Sequence, residues 1–226
     1  MIKRNIKLLL QIQLGENPWI LIVLIFLELL LILIPGLIAS KIEKRPFKEQ
    51  LKDMGFRKNV DSISKNISKI LAGLAIGFLF FLIAGYILFF FKYIIVENIL
   101  GTDFIREGES GAIRSEPIQP NFIQLVIIVI LHITIIGICE EAFFRGFIIN
   151  KCEEKLKSIY VTILSAFIFA IYHVPPFLVP IRTIITLIGY FFTFGVLLAL
   201  VFFYFNHSLI PCCIAHSTFN ILVLIF

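Results

Sequence analysis

Three groups of polar residues interrupt otherwise apolar sequence, and each has a spacing that permits chemistry. The densest is Glu140-Glu141-Ala142-Phe143-Phe144-Arg145. On a helix Glu141 and Arg145 are four residues apart and share a face, so they can pair and neutralise each other. Glu140 lies about 100° further round and is left without a partner from its own helix. A carboxylate held unpaired in a poorly solvated pocket suits a general base working near neutral pH. The plainer reading is a helix N-terminus whose two acids are favoured by the macrodipole.

The second group ends at His173. Phe169 precedes it by four residues, so an aromatic ring can pack beside the imidazole and hold it. Taken alone, His173 serves equally well as a packed or interfacial residue. The third is His216-Ser217-Thr218-Phe219-Asn220, which places an imidazole and an amide about 6 Å apart along one helix face. Two such donors in a dry bundle seek an acceptor, and the oxyanion formed on a cleaved amide is one. The alternative is interhelical hydrogen bonding that merely ties helices together, worth about 0.6–2 kcal/mol per contact. His132 and His207 read as structural. Glu28 is a carboxylate inside an apolar segment and is left without an assigned role.

The elements that must position these groups are membrane helices. Of 226 residues, 59% are hydrophobic and 15% charged, against about 25% charged for an ordinary soluble domain, and mean hydropathy is +1.00. No Asp, Glu, Lys or Arg occurs in the 44 residues from Thr183 to the C-terminus, about twice what one membrane helix needs. Charge-free stretches also cover residues 70–91, 121–139 and 158–181. Strands that alternate polar and apolar residues, as in an outer-membrane barrel, are absent. The expected fold is therefore all-α, a polytopic transmembrane bundle of seven to eight helices forming one domain over residues 1–226.

The expected helices are 18–39, 68–96, 121–139, 140–157, 158–173, 181–205 and 209–226, with Gly189 and Gly195 as kink points in the sixth. The first is too long and too late for a signal-peptide core and reads as retained. Residues 42–67 form a polar segment lying at the surface, and 97–121 an exposed acidic loop. Residues 41–69 carry nine Lys/Arg against four Asp/Glu, and residues 97–121 carry two against five. By the positive-inside rule the first loop is cytoplasmic and the second outside, despite Lys3, Arg4 and Lys7 near the N-terminus. Glu140 and His173 are then expected at the cytoplasmic third of the membrane, on a hydrophilic cavity opening to that side, with a lateral opening for lipid. The net charge of +5 is concentrated in one loop and forms no stripe for nucleic acid. The four cysteines have no CxxC or framework spacing and read mostly as small core residues.

Each motif is weak alone, but the ordered set EExxxR, FxxxH and HxxxN on hydrophobic helices resembles the CPBP family, also called Abi or CAAX-protease and bacteriocin-processing proteins. Within that family the chain is most similar to the type II CAAX endopeptidases, the Ras-converting branch and its prokaryotic relatives. The resemblance covers about residues 120–226. It implies an intramembrane glutamate protease, without metal or cofactor, that removes the last three residues of a prenylated CAAX protein or peptide. Carried over by motif, Glu140 activates water, His173 helps hold it, and His216 and Asn220 stabilise the oxyanion. Glu141, Arg145 and Phe169 support them. Six residues follow Asn220, whereas relatives often continue into a further helix.

Three other readings fit the same residues. A zinc peptidase would use Glu140, His173 and His216 as a His₂Glu set, although no HExxH is present. A non-enzymatic immunity or scaffold protein would use the polar residues only to join helices. A transporter would require inverted repeats, and the sequence contains none.

Overall fold

The computed structural model describes residues 18–56, 61–112 and 121–226, and among them all regular structure is helical. Lys3, Arg4 and Lys7, which bear on orientation, lie outside the described residues, as do Arg57, Lys58 and residues 113–120 of the two charged loops. Eight helices follow: α1 (18–43), α2 (Phe47–Asp53), α3 (Ile63–Leu100), α4 (Thr102–Ser110), α5 (Phe122–Glu153), α6 (Ser158–His173), α7 (Ile181–Tyr204) and α8 (Leu209–Ile225). By length and composition α3, α5 and α7 are long and apolar enough to cross a membrane, while α6 and α8 are apolar but shorter. Large side chains such as Phe78, Leu79, Leu82, Tyr86 and Phe89 point outward from α3. An apolar exterior of that extent needs a bilayer as its solvent.

Two expected helices are one. Residues 121–139 and 140–157 were read as separate because the charges begin at Glu140, yet α5 runs unbroken from Phe122 to Glu153. Its charges are tolerated because they are buried against other helices rather than exposed to lipid. The continuity also moves Glu140. It sits thirteen residues before the helix end, and His216 seven after the start of α8, so the site lies within the bundle, about 10–20 Å from the basic end. Two π-helical segments, His132–Ile136 and Ala142–Ile149, bracket Glu140-Glu141. Such widened turns rotate the residues after them relative to a regular α-helix and recur at functional sites.

Small residues set the closest approaches, as expected where lipid gives helices no hydrophobic reason to associate. Gly73 and Gly77 of α3 lie against Ile214, Pro211 and Ala215 of α8, with no room for a Cβ. Gly195 of α7 meets the backbone of Ala166 on α6. The helix runs unbroken through Gly189 and Gly195, and both glycines sit at close approaches, Gly189 to the Phe91 ring and Gly195 to Ala166.

Both charged loops carry structure that the sequence reading missed. In the basic segment, α2 is stitched to the bundle: Arg45 pairs with Asp53 at 2.8 Å and Glu49 at 3.2 Å, and Lys151 reaches Glu43 at 2.8 Å. Asn150 Nδ2 also donates to the Asp53 carbonyl at 2.9 Å. The acidic segment, expected as an exposed loop, forms α4, which buries Ile105 and Gly108 against α7. Glu109 pairs with Lys92, Glu107 pairs with Arg182, and Thr183 Oγ1 donates to the Gly108 carbonyl at 2.6 Å.

Candidate active site

Four helices each contribute to one buried cluster. Glu140, Glu141 and Arg145 come from α5, Phe169 and His173 from α6, Gly195 from α7, and His216 with Asn220 from α8. Glu141 and Arg145 are both 0% exposed, and Glu140 is 4% exposed. Arg145 Nη1 donates to Glu141 Oε1 at 2.9 Å, and Nη2 donates to the Gly195 carbonyl at 3.0 Å. The guanidinium also lies over the Phe169 ring, 4.8 Å from its centroid. Two neighbouring glutamates are thus separated by their partners: Glu141 is neutralised, and Glu140 has no cation from its own helix.

The two imidazoles are fixed by the same logic. His173 Nδ1 lies 2.9 Å from the Phe169 carbonyl. A carbonyl only accepts, so Nδ1 carries the proton and the lone pair of neutral His173 is on Nε2. His216 Nδ1 lies 2.8 Å from Glu141 Oε1, which directs its Nε2 the other way. Both Nε2 atoms converge on one oxygen, Glu140 Oε2, each at 3.8 Å. That is beyond direct hydrogen bonding and leaves room for a bridging atom within reach of all three. Glu140 Oε2 is buried and accepts no hydrogen bond among the described residues.

Phe169 is central to this packing. Its ring lies 4.2 Å from His173 and 6.0 Å from His216, centroid to centroid. His173 is also stacked on Phe191 at 4.7 Å. Asn220 makes no hydrogen bond among the described residues and lines a cavity of about 80 Å³ with His173, His216, Tyr190 and a set of phenylalanines. The cavity is therefore mainly aromatic, not the hydrophilic opening expected. Its phenylalanines come from α3, α6, α7 and α8.

Some neighbours had no signal in the sequence. Ser165 Oγ donates to the Phe144 carbonyl at 2.9 Å, and Ser217 Oγ to the His132 carbonyl at 3.0 Å, one carbonyl in each of the two π-segments of α5. Tyr172 donates its hydroxyl proton to Glu28 Oε1 at 2.6 Å, which draws α1 to the site. Glu28 was noticed as a carboxylate in an apolar span, and Tyr172 by position alone adjoins His173. His132 Nδ1 lies 2.8 Å from the Ile128 carbonyl, and His207 lies 3.5 Å from Glu153 at the α7–α8 turn. Among the described residues no group of three His, Cys, Asp or Glu side chains is arranged to hold a metal ion.

Residues 122–222 match the family model of the Rce1-like proteins, the type II CAAX prenyl endopeptidases. Over these residues the chain is similar to the Rce1-like proteins. The Rce1-like segment holds every residue of the cluster and runs from the first turn of α5 into α8, whereas α1 to α4 lie outside it. The match supports, in general terms, a CAAX-type intramembrane protease, in keeping with the chain's long apolar helices. No curated protein and no solved structure matches the chain.

Proposed function

We propose that this single membrane domain is a glutamate endopeptidase that hydrolyses the peptide bond after a prenylated cysteine and releases the AAX tripeptide. The observation that carries the reading is the convergence of His173 Nε2 and His216 Nε2 on Glu140 Oε2, at 3.8 Å each. A water in that gap would donate one proton to Glu140 Oε2 and the other to His173 Nε2. Its lone pair would then point out of the triangle towards a scissile carbonyl. Glu140 takes the first proton as the water attacks, and returns it to the leaving amine when the tetrahedral intermediate collapses.

The oxyanion would be met from α8. Asn220 presents an uncommitted amide to the cavity. His216 donates from Nε2 only when protonated, since its Nδ1 proton is already given to Glu141; Glu141 is then its counter-ion. Arg145 holds the Glu141 carboxylate in place through its hydrogen bond to Oε1. The basic ends of α1, α2 and α5 support the cytoplasmic side as the side from which the peptide arrives.

The test is cleavage of a farnesylated CAAX peptide by detergent-purified protein, comparing wild type with Glu140→Gln, with and without a strong chelator. Glu140 has no direct ion pair to lose, so the isosteric variant is expected to fold and to lose at least about 10³-fold in kcat. Indifference to chelator is expected with it. Chelator inhibition reversed by zinc would move the reading to a zinc peptidase. A folded wild-type protein without activity, or a fully active Glu140→Gln, would favour an immunity or scaffold role.

A further inference from the structure

The imidazole of His173 sits where a helix is least held. His173 is the last residue of α6, and Val174 leaves helical geometry at φ −127°, ψ 66°. The Val174 N–H still closes on the Ala170 carbonyl at 3.1 Å. Beyond it, Pro175 and Pro176 stand where the next two N–H groups would bond the carbonyls of Ile171 and Tyr172, and proline has no N–H to give. The bond from His173 Nδ1 to the Phe169 carbonyl and the stack on the Phe169 ring both lie within α6, so they turn with the helix end instead of fixing it. From α7 the ring is met by Phe191 at 4.7 Å, an apolar contact with no fixed direction.

We propose that Glu28 and Tyr172 are a positioning pair for His173. The hydrogen bond from the Tyr172 hydroxyl to Glu28 Oε1, 2.6 Å, anchors the last turn of α6 to α1 and so sets the rotation at which His173 Nε2 meets Glu140. Tyr172 lies about 100° round the helix from His173. The pair therefore holds the turn from the α1 side, while Phe191 holds it from the α7 side. The Tyr172 ring can transmit the restraint, because it packs against Phe144 at 5.7 Å and edge-on to His173 at 5.4 Å. The catalytic part of this role rests on the function proposed above; the anchoring does not.

Two features of α1 single out Glu28. A carboxylate in an apolar span costs more than a membrane hydrogen bond usually returns, so tying α1 to the bundle is a poor reason to keep one. The helix also tightens into a 3₁₀ turn at Phe26–Leu29, the turn that carries Glu28, and such turns inside helices often mark functional points. Oε2 of the carboxylate is buried with no hydrogen bond among the described residues, which leaves Tyr172 as the side chain that donates to the group. Glu28 is also within electrostatic range of Glu140 and His216. A charge acting through space and a hydrogen bond that positions a turn are different roles, and a neutral acceptor at residue 28 separates them.

The experiment combines kinetics and spectroscopy on the full chain in detergent. Tyr172→Phe keeps the ring and removes the hydroxyl, Glu28→Leu removes the acceptor, and Glu28→Gln keeps an oxygen to accept the bond. The first two should each lower kcat for the farnesylated CAAX peptide by about tenfold or more, with KM within about twofold. The two combined should lose no more than either alone, since they remove the same bond. Glu28→Gln should recover kcat to within about threefold of wild type. In ¹⁵N-histidine-labelled protein, His173 should show a single Nδ1–H tautomer in wild type and Glu28→Gln. Its ring signals should broaden or shift in Tyr172→Phe and Glu28→Leu, with His132 and His207 unchanged. Unchanged His173 signals in those two variants would overturn the proposal whatever the activity, as would wild-type kcat in both while only the melting temperature falls. A Glu28→Gln as poor as Glu28→Leu would assign the effect to charge and overturn it too. A wild-type protein that leaves the peptide intact removes the function proposed above, and the His173 spectra then decide the anchoring alone.

Discussion

Arg145→Leu asks whether the support beneath the catalytic glutamate is a buried ion pair. Both partners are fully buried and joined at 2.9 Å, and Arg145 also satisfies the Gly195 carbonyl at 3.0 Å. Removing the guanidinium leaves the Glu141 carboxylate with His216 as its one remaining hydrogen-bond partner among the described residues. Stripping one member from a buried pair costs about 3–5 kcal/mol. At about 2–4 °C per kcal/mol for a chain of this size, the melting temperature in detergent should fall by about 6–20 °C. Glu141→Leu with Arg145→Leu removes both charges together, leaving chiefly the orphaned His216 Nδ1–H, at about 1–3 kcal/mol. The double variant should therefore be more stable than either single one, and the cycle non-additive by at least about 3 kcal/mol. Peptide cleavage should not return with stability, because His216 has lost the carboxylate that orients it. Thermal unfolding followed by tryptophan-independent light scattering and dye binding, with cleavage assays on the same samples, reads both quantities. A single variant costing under about 1 kcal/mol, or strictly additive losses, would refute the desolvated pair. Recovered activity in the double variant would remove Glu141 from the reaction.

Two further outcomes test other parts of the site. Asn220→Ala should lower kcat by about 10²–10³-fold with KM nearly unchanged, as for loss of one oxyanion donor, and should leave the melting temperature within a few degrees, since Asn220 makes no hydrogen bond among the described residues. Gly195→Ala should destabilise by about 1–3 kcal/mol, because the added Cβ would lie 2.7 Å from Ala166 Cα and push α7 off α6. That shift also carries the Gly195 carbonyl away from Arg145, so activity should fall by more than an equally destabilising change at a lipid-facing position.

The motif residues were legible because each lies where apolar sequence makes a polar group costly, and fourfold spacing shows which side chains share a face. The Glu141–Arg145 pair and the Phe169–His173 contact, both intrahelical, follow from that spacing alone. What lies between helices was not legible. Nothing in the spacing shows that His216 turns Nδ1 to Glu141 and Nε2 to Glu140, or that Phe191 closes over His173. Charge misled at two places. It divided α5 at Glu140, where burial rather than a helix end accommodates the acids. It also made residues 97–121 read as loop, although the described part holds a helix whose Ile105 packs inward. The aromatic walls of the cavity come from four helices, so no local pattern announces them.

Adjacent glutamates receive opposite roles here because a helix turns about 100° between them. One face of α5 looks at Arg145 one turn on and at the Nδ1 side of His216, and both donate to the one oxygen, Oε1, of the carboxylate there. The next face looks at two Nε2 lone pairs, and a carboxylate there meets only acceptors. Exchanging the two environments would need either a different rotation of α5, which the flanking π-segments fix, or a different tautomer of His216, which Glu141 fixes. The acidic pair is therefore asymmetric by construction of the backbone: Glu141 holds the ring that faces Glu140, and Glu140 is the carboxylate whose Oε2 faces both Nε2 atoms, placed to take a proton from something held between the imidazoles. A swap of the two side-chain lengths tests this directly. Glu140→Asp draws the base back by about one carbon–carbon bond, roughly 1.5 Å, from both Nε2 atoms. It should cost about 10²-fold or more in kcat without loss of stability. Glu141→Asp breaks contact with His216 or Arg145 and should cost stability first. Equal behaviour of the two variants in both assays would mean that the neighbouring glutamates are interchangeable, and the division of roles would fall.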